Sequence, residues 1–204
     1  MAFINLADNT IQCKVVYYGP GRGGKTTNLL FIHKTMAENI RGKMVTIDTK
    51  GDRTLFFDFL PLELGVIKDW KIKIQLFTVP GQVMYNATRK LVLKGVDGIV
   101  FVGDCIMVQK DRNIESIENL RENLAADKHN IDQIPLVLQY NKVDLRSSNI
   151  PTYSAEEMNE FLNPGNELPW YAASALTGQG VFDTLRDVSK RTVKEVSRKL
   201  LNRN

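Results

Sequence analysis

Gly19-Pro-Gly-Arg-Gly-Gly-Lys-Thr26 matches the pattern GxxxxGK[ST] in full, and it constrains the architecture more than any other segment. It follows an apolar run that predicts a strand, Ile11 to Tyr18, and it opens a helix-period run from Thr26 to Met36. Glycines let consecutive backbone N–H groups turn inward around α- and β-phosphates, and the helix N-terminus adds positive potential. The sequence therefore predicts a strand, a phosphate-binding loop and a helix in that order.

Each position of this loop has an expected task. We expect Lys25 to bridge the β- and γ-phosphate oxygens and to be catalytic, and the Thr26 hydroxyl to bind Mg²⁺. Pro20 removes one amide donor, and Arg22 is available to solvent or a partner. The predicted nucleotide-binding residues of the loop are Gly19, Gly21, Arg22, Gly23, Gly24, Lys25, Thr26 and Thr27.

Strand-like and helix-like runs alternate along the rest of the chain. Gly98 to Asp104 and Leu136 to Tyr140 are continuous apolar runs, typical of strands buried on both faces of a parallel sheet. Lys71 to Val79 alternates apolar and polar residues, which indicates a half-exposed strand, at an edge or antiparallel, with Leu55 to Leu64 as its hairpin partner. Further predicted elements are an amphipathic helix through Ile114, Ile117, Leu120 and Leu124, a short strand Trp170 to Ala173 and a long closing helix from Val181 to Leu200.

This order of elements predicts an α/β fold of three layers, a P-loop NTPase fold with a mostly parallel central sheet and helices on both faces. Pro and Gly occur as single breaks rather than as a linker, so we expect one domain over residues 1–204. Ligands of such sheets bind at the carboxyl ends of the strands.

Composition and charge exclude several classes of protein. Of the 204 residues, 43% are hydrophobic and 25% are charged, which argues against disorder, and no apolar run approaches the roughly 18 residues of a membrane span. Cys13 and Cys105 lie in apolar runs without CxxC spacing, and the start resembles no signal peptide, so we expect reduced thiols and a cytoplasmic location. The net charge of +4 selects no partner, and we expect no nucleic acid partner. The basic side of the last helix is interpreted as a solvated face.

Asn141-Lys-Val-Asp144 follows the buried strand that ends at Tyr140, and it predicts base selection. The Asp144 carboxylate can accept from both N1–H and the 2-amino group of guanine, and a site of buried hydrogen bonds rejects adenine, which leaves them unpaired. We expect Asn141 to brace the loop or the base edge, and the stem of Lys142 to cover the base. Downstream, Ser174-Ala175-Leu176 follows a strand, and the Ala175 amide could meet the guanine carbonyl oxygen.

With these motifs in order, the chain resembles a small Ras-like GTPase over almost its whole length, and it is similar to the bacterial MglA family. The stretches that carry the second resemblance are Val16-Tyr-Tyr-Gly-Pro-Gly21, Gly51-Asp-Arg-Thr-Leu-Phe-Phe-Asp-Phe-Leu-Pro61, Phe77-Thr-Val-Pro-Gly-Gln82 and Leu93-Lys-Gly-Val-Asp-Gly98. The resemblance implies a monomeric switch between GDP and GTP states that sets bacterial cell polarity or motility. It also implies a homodimeric, MglB-like roadblock-domain activator, and it leaves recruitment to a cell pole open.

The resemblance assigns the hydrolytic residues. Thr54 resembles the switch I threonine that closes on Mg²⁺, and Arg53 resembles an arginine finger supplied in cis. Gln82 resembles the glutamine that orients the attacking water, and the Gly81 amide resembles a γ-phosphate contact. These tasks match phosphoryl transfer, which needs an in-line water and positive charge against the equatorial oxygens.

One position departs from the usual DxxG pattern of small GTPases. The stretch is Thr78-Val-Pro-Gly81, so a neutral hydroxyl stands where an aspartate normally holds Mg²⁺ through water. MglA-like proteins share this change. Asp52 and Asp58 are near enough in sequence to help, but we interpret both as solvated loop acids.

The leading hypothesis is a GTPase switch that hydrolyses GTP slowly alone and faster with its activator. Two alternatives remain at the level of sequence. One is a P-loop ATPase or kinase in which the segment Asn141 to Asp144 is coincidental, and the other is a nucleotide-locked binding module with negligible turnover.

Overall fold

The computed structural model describes residues 3–5, 7–48, 56–67, 69–127 and 131–201. Strands β1 to β8 span Phe3–Asn5, Thr10–Tyr18, Val45–Asp48, Phe56–Ile67, Trp70–Thr78, Gly98–Asp104, Leu136–Asn141 and Trp170–Ala173. Helices α1 to α5 span Lys25–Thr35, Asn86–Leu93, Lys110–Ala126, Ala155–Leu162 and Val181–Leu201. The alternation predicted from the sequence is confirmed, and β1, β3, α2 and α4 are elements that it did not predict.

The strands form one sheet in the order β3-β4-β5-β2-β6-β7-β8, and β1 pairs with β2. The pairings of β2 with β5 and with β6 are parallel, as are those of β6 with β7 and β7 with β8. The pairings β1–β2, β3–β4 and β4–β5 are antiparallel. The mostly parallel sheet is confirmed, and the carboxyl ends of β2, β6, β7 and β8 lie at one edge.

Two apolar cores cover the two faces of the sheet. In β2, Val15 and Tyr17 belong to the core shared with α1 and α5, while Val16 and Tyr18 belong to the core shared with α2, α3 and α4. All four side chains are 0% exposed. Side chains of a strand alternate between faces, so a run without polar residues requires cover on both sides. The three-layer α/β fold is confirmed.

The strand predicted over residues 71–79 is β5, but its place in the sheet differs from one expectation. It lies inside the sheet, antiparallel to β4 with Phe59 opposite Phe77, and parallel to β2. The expected antiparallel hairpin is therefore present, and the edge position was wrong. Ile72, Ile74 and Leu76 are buried against α1, whereas the opposite face is only partly covered. The alternation of apolar and polar residues in β5 matches these two faces, one fully covered and one partly exposed.

Helix α5 packs an apolar stripe on the sheet through residues that include Val181, Leu185 and Val188. Its basic residues lie on the outer side, where Arg191 pairs with Asp187 at 2.9 Å. This confirms a core helix with a solvated face. None of the helices within the described ranges is long and apolar enough to cross a membrane.

Both cysteines are buried free thiols, as predicted. Burial is the main cause that raises the pKa of Cys13, and likewise of Cys105, to about 12.

Candidate nucleotide-binding site

The loop between β2 and α1 has the shape that phosphate capture requires. Gly24 precedes α1 with a φ of +99°, and a Cβ there would lie 2.1 Å from Nδ2 of Asn141. Both the conformation and the contact therefore exclude a side chain. Arg22 has a φ of +62° and is exposed, while the Gly23 N–H donates to the Pro20 carbonyl at 3.2 Å. Of the remaining predicted loop residues, Gly19 is buried, Gly21 is half-buried, and Thr26 and Thr27 are exposed on the first turn of α1.

Lys25 is a buried cation within this loop. The residue is only 6% exposed, and its Nζ donates to the carbonyls of Gly19 at 2.8 Å and Pro20 at 2.6 Å. Burial lowers its pKa to about 7, the charge of Arg89 lowers it as well, and that of Asp58 opposes the shift. A cation held this way at a helix start offers charge to anionic oxygens at little cost in reorganisation.

The carboxylate of Asp58, on β4, lies among three threonine hydroxyls. Thr26 Oγ1 donates to Asp58 Oδ2 at 2.6 Å, and Thr78 Oγ1 donates to the same oxygen at 2.8 Å. Thr46 Oγ1 donates to Oδ1 at 2.9 Å. The backbone N–H of Asp58 donates in turn to Thr78 Oγ1 at 2.8 Å, which ties the end of β5 to β4. A buried carboxylate therefore stands beside the threonine predicted to hold Mg²⁺.

This geometry corrects the interpretation of Asp58 as a solvated loop acid. The residue is 5% exposed and lies within β4, where the strand register sets it opposite Thr46. Hydroxyl and carboxylate oxygens are ligands that suit Mg²⁺, which usually takes few protein carboxylates together with phosphate oxygens. The residues present therefore fit this ion, even though position 78 is neutral. In the part of the chain that the structure describes, no group of three or more His, Cys, Asp or Glu side chains could hold a metal.

Asn141 joins the phosphate-binding loop to the segment after β8. Its Nδ2 donates to the Gly23 carbonyl at 2.8 Å, and its Oδ1 accepts from the Ala175 N–H at 2.8 Å. Asn141 is 2% exposed, so both hydrogen bonds are shielded from water. The expected brace on the loop is present, and one amide side chain fixes the distance between two parts of the site. The Ala175 amide, expected near the base, is engaged with Asn141.

The remaining residues predicted to bind the base lie near the ends of β6, β7 and β8. Lys142 has a φ of +74°, and its Nζ pairs with Asp104 at 2.6 Å; Asp104 is 1% exposed. This ion pair ties the segment after β7 to the end of β6. Asp144 is half-buried in the short 3-10 helix that follows, Val143–Ser148. The other predicted residues are Ser174, which is buried and accepts from the Thr177 N–H at 3.2 Å, and Leu176, which is 75% exposed.

The segment Pro80–Gln82 lies directly on the phosphate-binding loop. A Cβ on Gly81 would lie 2.2 Å from the backbone nitrogen of Gly21, so only glycine permits this approach. Gln82 itself is exposed, with its Cγ 3.8 Å from the position of a Cβ on Gly21. The structure thus brings Gly81 and Gln82 to the loop that holds Lys25. Arg53, Thr54 and Asp52 lie outside the described residues.

The sequence did not predict the part that Asp104 and Arg89 play in this region, or the burial and contacts of Asp58. A signal existed for Asp104, because it ends a buried strand next to a predicted ligand edge. No local signal marks the other two, since each acquires its partners through contacts between distant elements.

The comparisons with known proteins agree with this geometry. The family model for the Ras family matches residues 14–194. The mutual gliding-motility protein MglA of Myxococcus xanthus (strain DK1622) is 51% identical over 198 residues, which cover 97% of this chain and 99% of that protein. The Ras-related protein Rab7 of Cenchrus ciliaris is 24% identical over 184 residues, 89% of this chain and 82% of its own. Rab7 of Drosophila melanogaster is 23% identical over 181 residues, 88% of this chain and 80% of its own.

Proposed function

Because this chain belongs to the Ras family, as one of its MglA-type small GTPases, we propose that its GDP and GTP states form a switch for bacterial cell polarity or motility. It is a GTPase, with GTP as substrate and GDP and phosphate as products. The observation that carries the proposal is the Asn141 side chain, which links the phosphate-binding loop to the base-recognition segment at Ala175. Family membership removes the support for an unrelated P-loop ATPase or kinase.

The phosphates are held at the N-terminus of α1. In our proposal the backbone amides of the loop, from Gly19 to Thr27, enclose the α- and β-phosphates, and Lys25 reaches the β- and γ-oxygens. Its two carbonyl contacts already orient Nζ within the loop. At the other end, Asp144 accepts from guanine and Lys142 covers the ring. Asn141 and the Ala175 N–H, bonded to each other, brace this end against the loop, and Ser174 and Leu176 complete it.

Mg²⁺ is the metal that these residues fit. Thr26 would hold it directly, with Thr54 joining in the GTP state, and Asp58 would supply the charge that Thr78 lacks. The support is the 2.6 Å hydrogen bond between Thr26 and Asp58, since the same carboxylate oxygen can accept from a metal-bound water. When bound, the ion neutralises charge that develops on the β- and γ-phosphate oxygens.

Hydrolysis is assigned to residues that position water and charge. Gln82 orients the attacking water, Arg53 places positive charge on the transferred group, and the Gly81 amide donates to the γ-phosphate. The close approach of Gly81 to Gly21 supports this, because it already puts the Gln82 backbone beside the phosphate-binding loop.

We infer one G domain over residues 1–204 that acts as a monomer and meets a homodimeric, MglB-like roadblock-domain activator. The activator would bring Arg53 and Gln82 into position rather than donate an arginine of its own. A cytoplasmic location with recruitment to a cell pole fits such a role. The relative named for mutual gliding motility supports this reading.

Nucleotide displacement tests the base site. Bound mant-GDP is displaced by GTP, GDP or ATP in the presence of Mg²⁺, with wild type and Asp144→Ala compared with Asp183→Ala, a change of an exposed surface aspartate. We expect only guanine nucleotides to compete, and the Asp144 variant alone to lose affinity. Equal competition by ATP would refute the assignment.

Single-turnover hydrolysis tests the catalytic assignment. The rates of Gln82→Ala, Arg53→Ala and a control, Gln133→Ala at an exposed turn, are measured with and without a roadblock-domain activator. We expect the first two variants to lose stimulation and the control to keep it. A stimulated rate that survives both changes would end this mechanism, and no turnover over hours in wild type would favour the nucleotide-locked module.

A further inference from the structure

Arg89 is a buried cation on α2 whose hydrogen bonds converge on the segment that carries Gln82. The residue is 5% exposed. Its Nη1 donates to the carbonyl of Gln82 at 2.5 Å and to that of Pro80 at 3.3 Å. The two carbonyls flank Gly81, the residue that touches the phosphate-binding loop. A single guanidinium therefore holds the backbone on both sides of this contact.

Two asparagines hold the other side of the guanidinium. Nε donates at 3.0 Å to Oδ1 of Asn119, on α3, and Nη2 donates at 3.3 Å to Oδ1 of Asn86, on α2 itself. Asn123 Nδ2 donates to Asn86 Oδ1 at 2.9 Å and to Asn119 Oδ1 at 3.1 Å, so α3 orients both acceptors. Because its planar donors are fixed in direction, the arginine transmits the position of α3 to the segment at residues 80–82.

The same network reaches the strand that leads into the phosphate-binding loop. Tyr18, 0% exposed and adjacent to Gly19, donates from its hydroxyl to Asn119 Oδ1 at 2.7 Å, and its oxygen lies 3.1 Å from Asn123 Nδ2. The phosphate-binding loop, through Tyr18, and the segment at residues 80–82, through Arg89, are thus both connected to Asn119 and Asn123 on α3. Burying a guanidinium costs free energy unless its N–H groups are hydrogen-bonded. Packing alone would therefore favour an apolar side chain at position 89.

We propose that Arg89 is a positioning residue for GTP hydrolysis: it holds residues 80–82 on the phosphate-binding loop and so sets where the Gln82 side chain meets the attacking water. This inference rests on the proposed role of Gln82. Arg89 touches backbone carbonyls and contributes no reacting group. Its effect is therefore expected in the rate of the chemical step and little in the affinity for nucleotide.

The test compares Arg89→Gln and Arg89→Lys with Lys90→Gln, the exposed neighbour on the same helix. Loss of a hydrogen bond to a charged group typically changes a rate or equilibrium constant by about tenfold to hundredfold. We therefore expect the single-turnover rate of GTP hydrolysis by Arg89→Gln to fall by that factor. Binding of mant-GTP is expected to stay within about twofold in Arg89→Lys, which removes none of the loop donors and keeps the positive charge that acts on Lys25. Arg89→Lys, which can still reach a carbonyl, should recover part of the rate, and Lys90→Gln should match wild type.

Amide hydrogen exchange supplies a readout separate from turnover. The Tyr85 N–H donates to the Gln82 carbonyl at 3.1 Å, the same oxygen that Arg89 holds. We expect faster exchange of this amide in Arg89→Gln, with the strands of the sheet still protected. Asn119→Ala, which removes the acceptor of Nε and keeps the charge, should move both readouts in the same direction and replaces Arg89→Gln if that variant does not fold.

The outcomes separate this inference from the assignment of Gln82. If Gln82→Ala is slow but Arg89→Gln hydrolyses like Lys90→Gln, the positioning role is wrong and the glutamine role stands. If Gln82→Ala is normal, the glutamine role fails, and the positioning role fails with it. A lowered Tm in Arg89→Gln with an unchanged rate well below that Tm would mean that the arginine only stabilises α2, which also overturns the proposal.

Discussion

The carboxylate of Asp58 is the point at which the proposed Mg²⁺ site can be tested most directly. Asp58→Asn keeps the size of the side chain and removes its charge. Thr26 and Thr78 now donate to Oδ2 at 2.6 Å and 2.8 Å, and an amide nitrogen at that position could not accept from either of them. Loss of a group that orients metal ligands typically weakens metal affinity by about 10- to 100-fold. We therefore expect a shift of this size for Mg²⁺.

The assay is the release of mant-GDP followed by stopped-flow fluorescence at different concentrations of free Mg²⁺. Bound metal slows release, so the midpoint of the titration reports its affinity independently of hydrolysis. We expect the midpoint of Asp58→Asn to rise by about 10- to 100-fold, while release in EDTA stays close to wild type. Glu63→Gln is the control, because Glu63 lies on the same strand and is exposed.

A second variant tests whether Mg²⁺ affinity depends on Asp58 itself or on any carboxylate at this place. Thr26 Oγ1 and Thr78 Oγ1 donate to the same oxygen of Asp58, at 2.6 Å and 2.8 Å, so a carboxylate at position 78 would stand close to Thr26. In Asp58→Asn combined with Thr78→Asp we expect the midpoint to return toward wild type. Thr78→Asp alone brings two carboxylates together, which repel and favour protonation of one of them. A midpoint for Asp58→Asn within about twofold of wild type would refute the reasoning, since metal orientation is expected to cost more.

Three further predictions concern the loop contacts and pH. Asn141→Ala removes both hydrogen bonds between the phosphate-binding loop and Ala175, so we expect GDP affinity to fall by about tenfold or more by titration calorimetry; an unchanged Kd would contradict the bracing role. Gly81→Ala would set a methyl group 2.2 Å from the Gly21 nitrogen, which forces the segment off the loop. We expect single-turnover hydrolysis to slow by about tenfold to hundredfold with GDP binding retained, and a normal rate would show that the close approach is dispensable. Burial raises the pKa of Cys13 from 9.0 to about 12, so above pH 9.0 the unfolded chain releases a proton that the folded chain keeps. The stability that this thiol contributes is therefore present at lower pH and is lost as the pH rises through that range. We expect the Tm of the wild type to fall with rising pH, and the Tm of Cys13→Ala to fall less steeply. Equal slopes of Tm against pH in the two proteins would argue against a buried neutral thiol.

Local patterns were sufficient for much of the fold. The glycine loop between an apolar run and a helix-period run placed β2 and α1 to within a residue or two, since capping and turn chemistry act over short distances. The largely apolar runs of β6 and β7 identified strands with two covered faces. By contrast, α2 and α4 have eight residues each and offer few periods to read, so short helices were missed.

Contacts between distant elements could not be derived from these patterns. The sequence predicts a loop acid at Asp58, because a charged residue between Phe57 and Phe59 gives no hint of which groups its carboxylate faces. Its role depends on the register of β4, which sets it opposite Thr46 and beside Thr78, the residue that departs from DxxG. Register is fixed by burial across the whole sheet, and a shift of one residue would send the carboxylate to the other face.

The two networks that the sequence did not reveal meet electrostatically at Lys25. The charge of Arg89 lowers the pKa of this lysine and the charge of Asp58 raises it, on top of the dominant effect of burial. Asp58 belongs to the hairpin of β3 and β4, whereas Arg89 belongs to the helix that follows Gln82, so each charge is attached to a different part of the chain. Since the field at Lys25 is the sum of both, a displacement of either element changes how strongly the lysine favours its charged form. Lys25 is therefore placed to respond to both networks, although neither is adjacent to it in sequence.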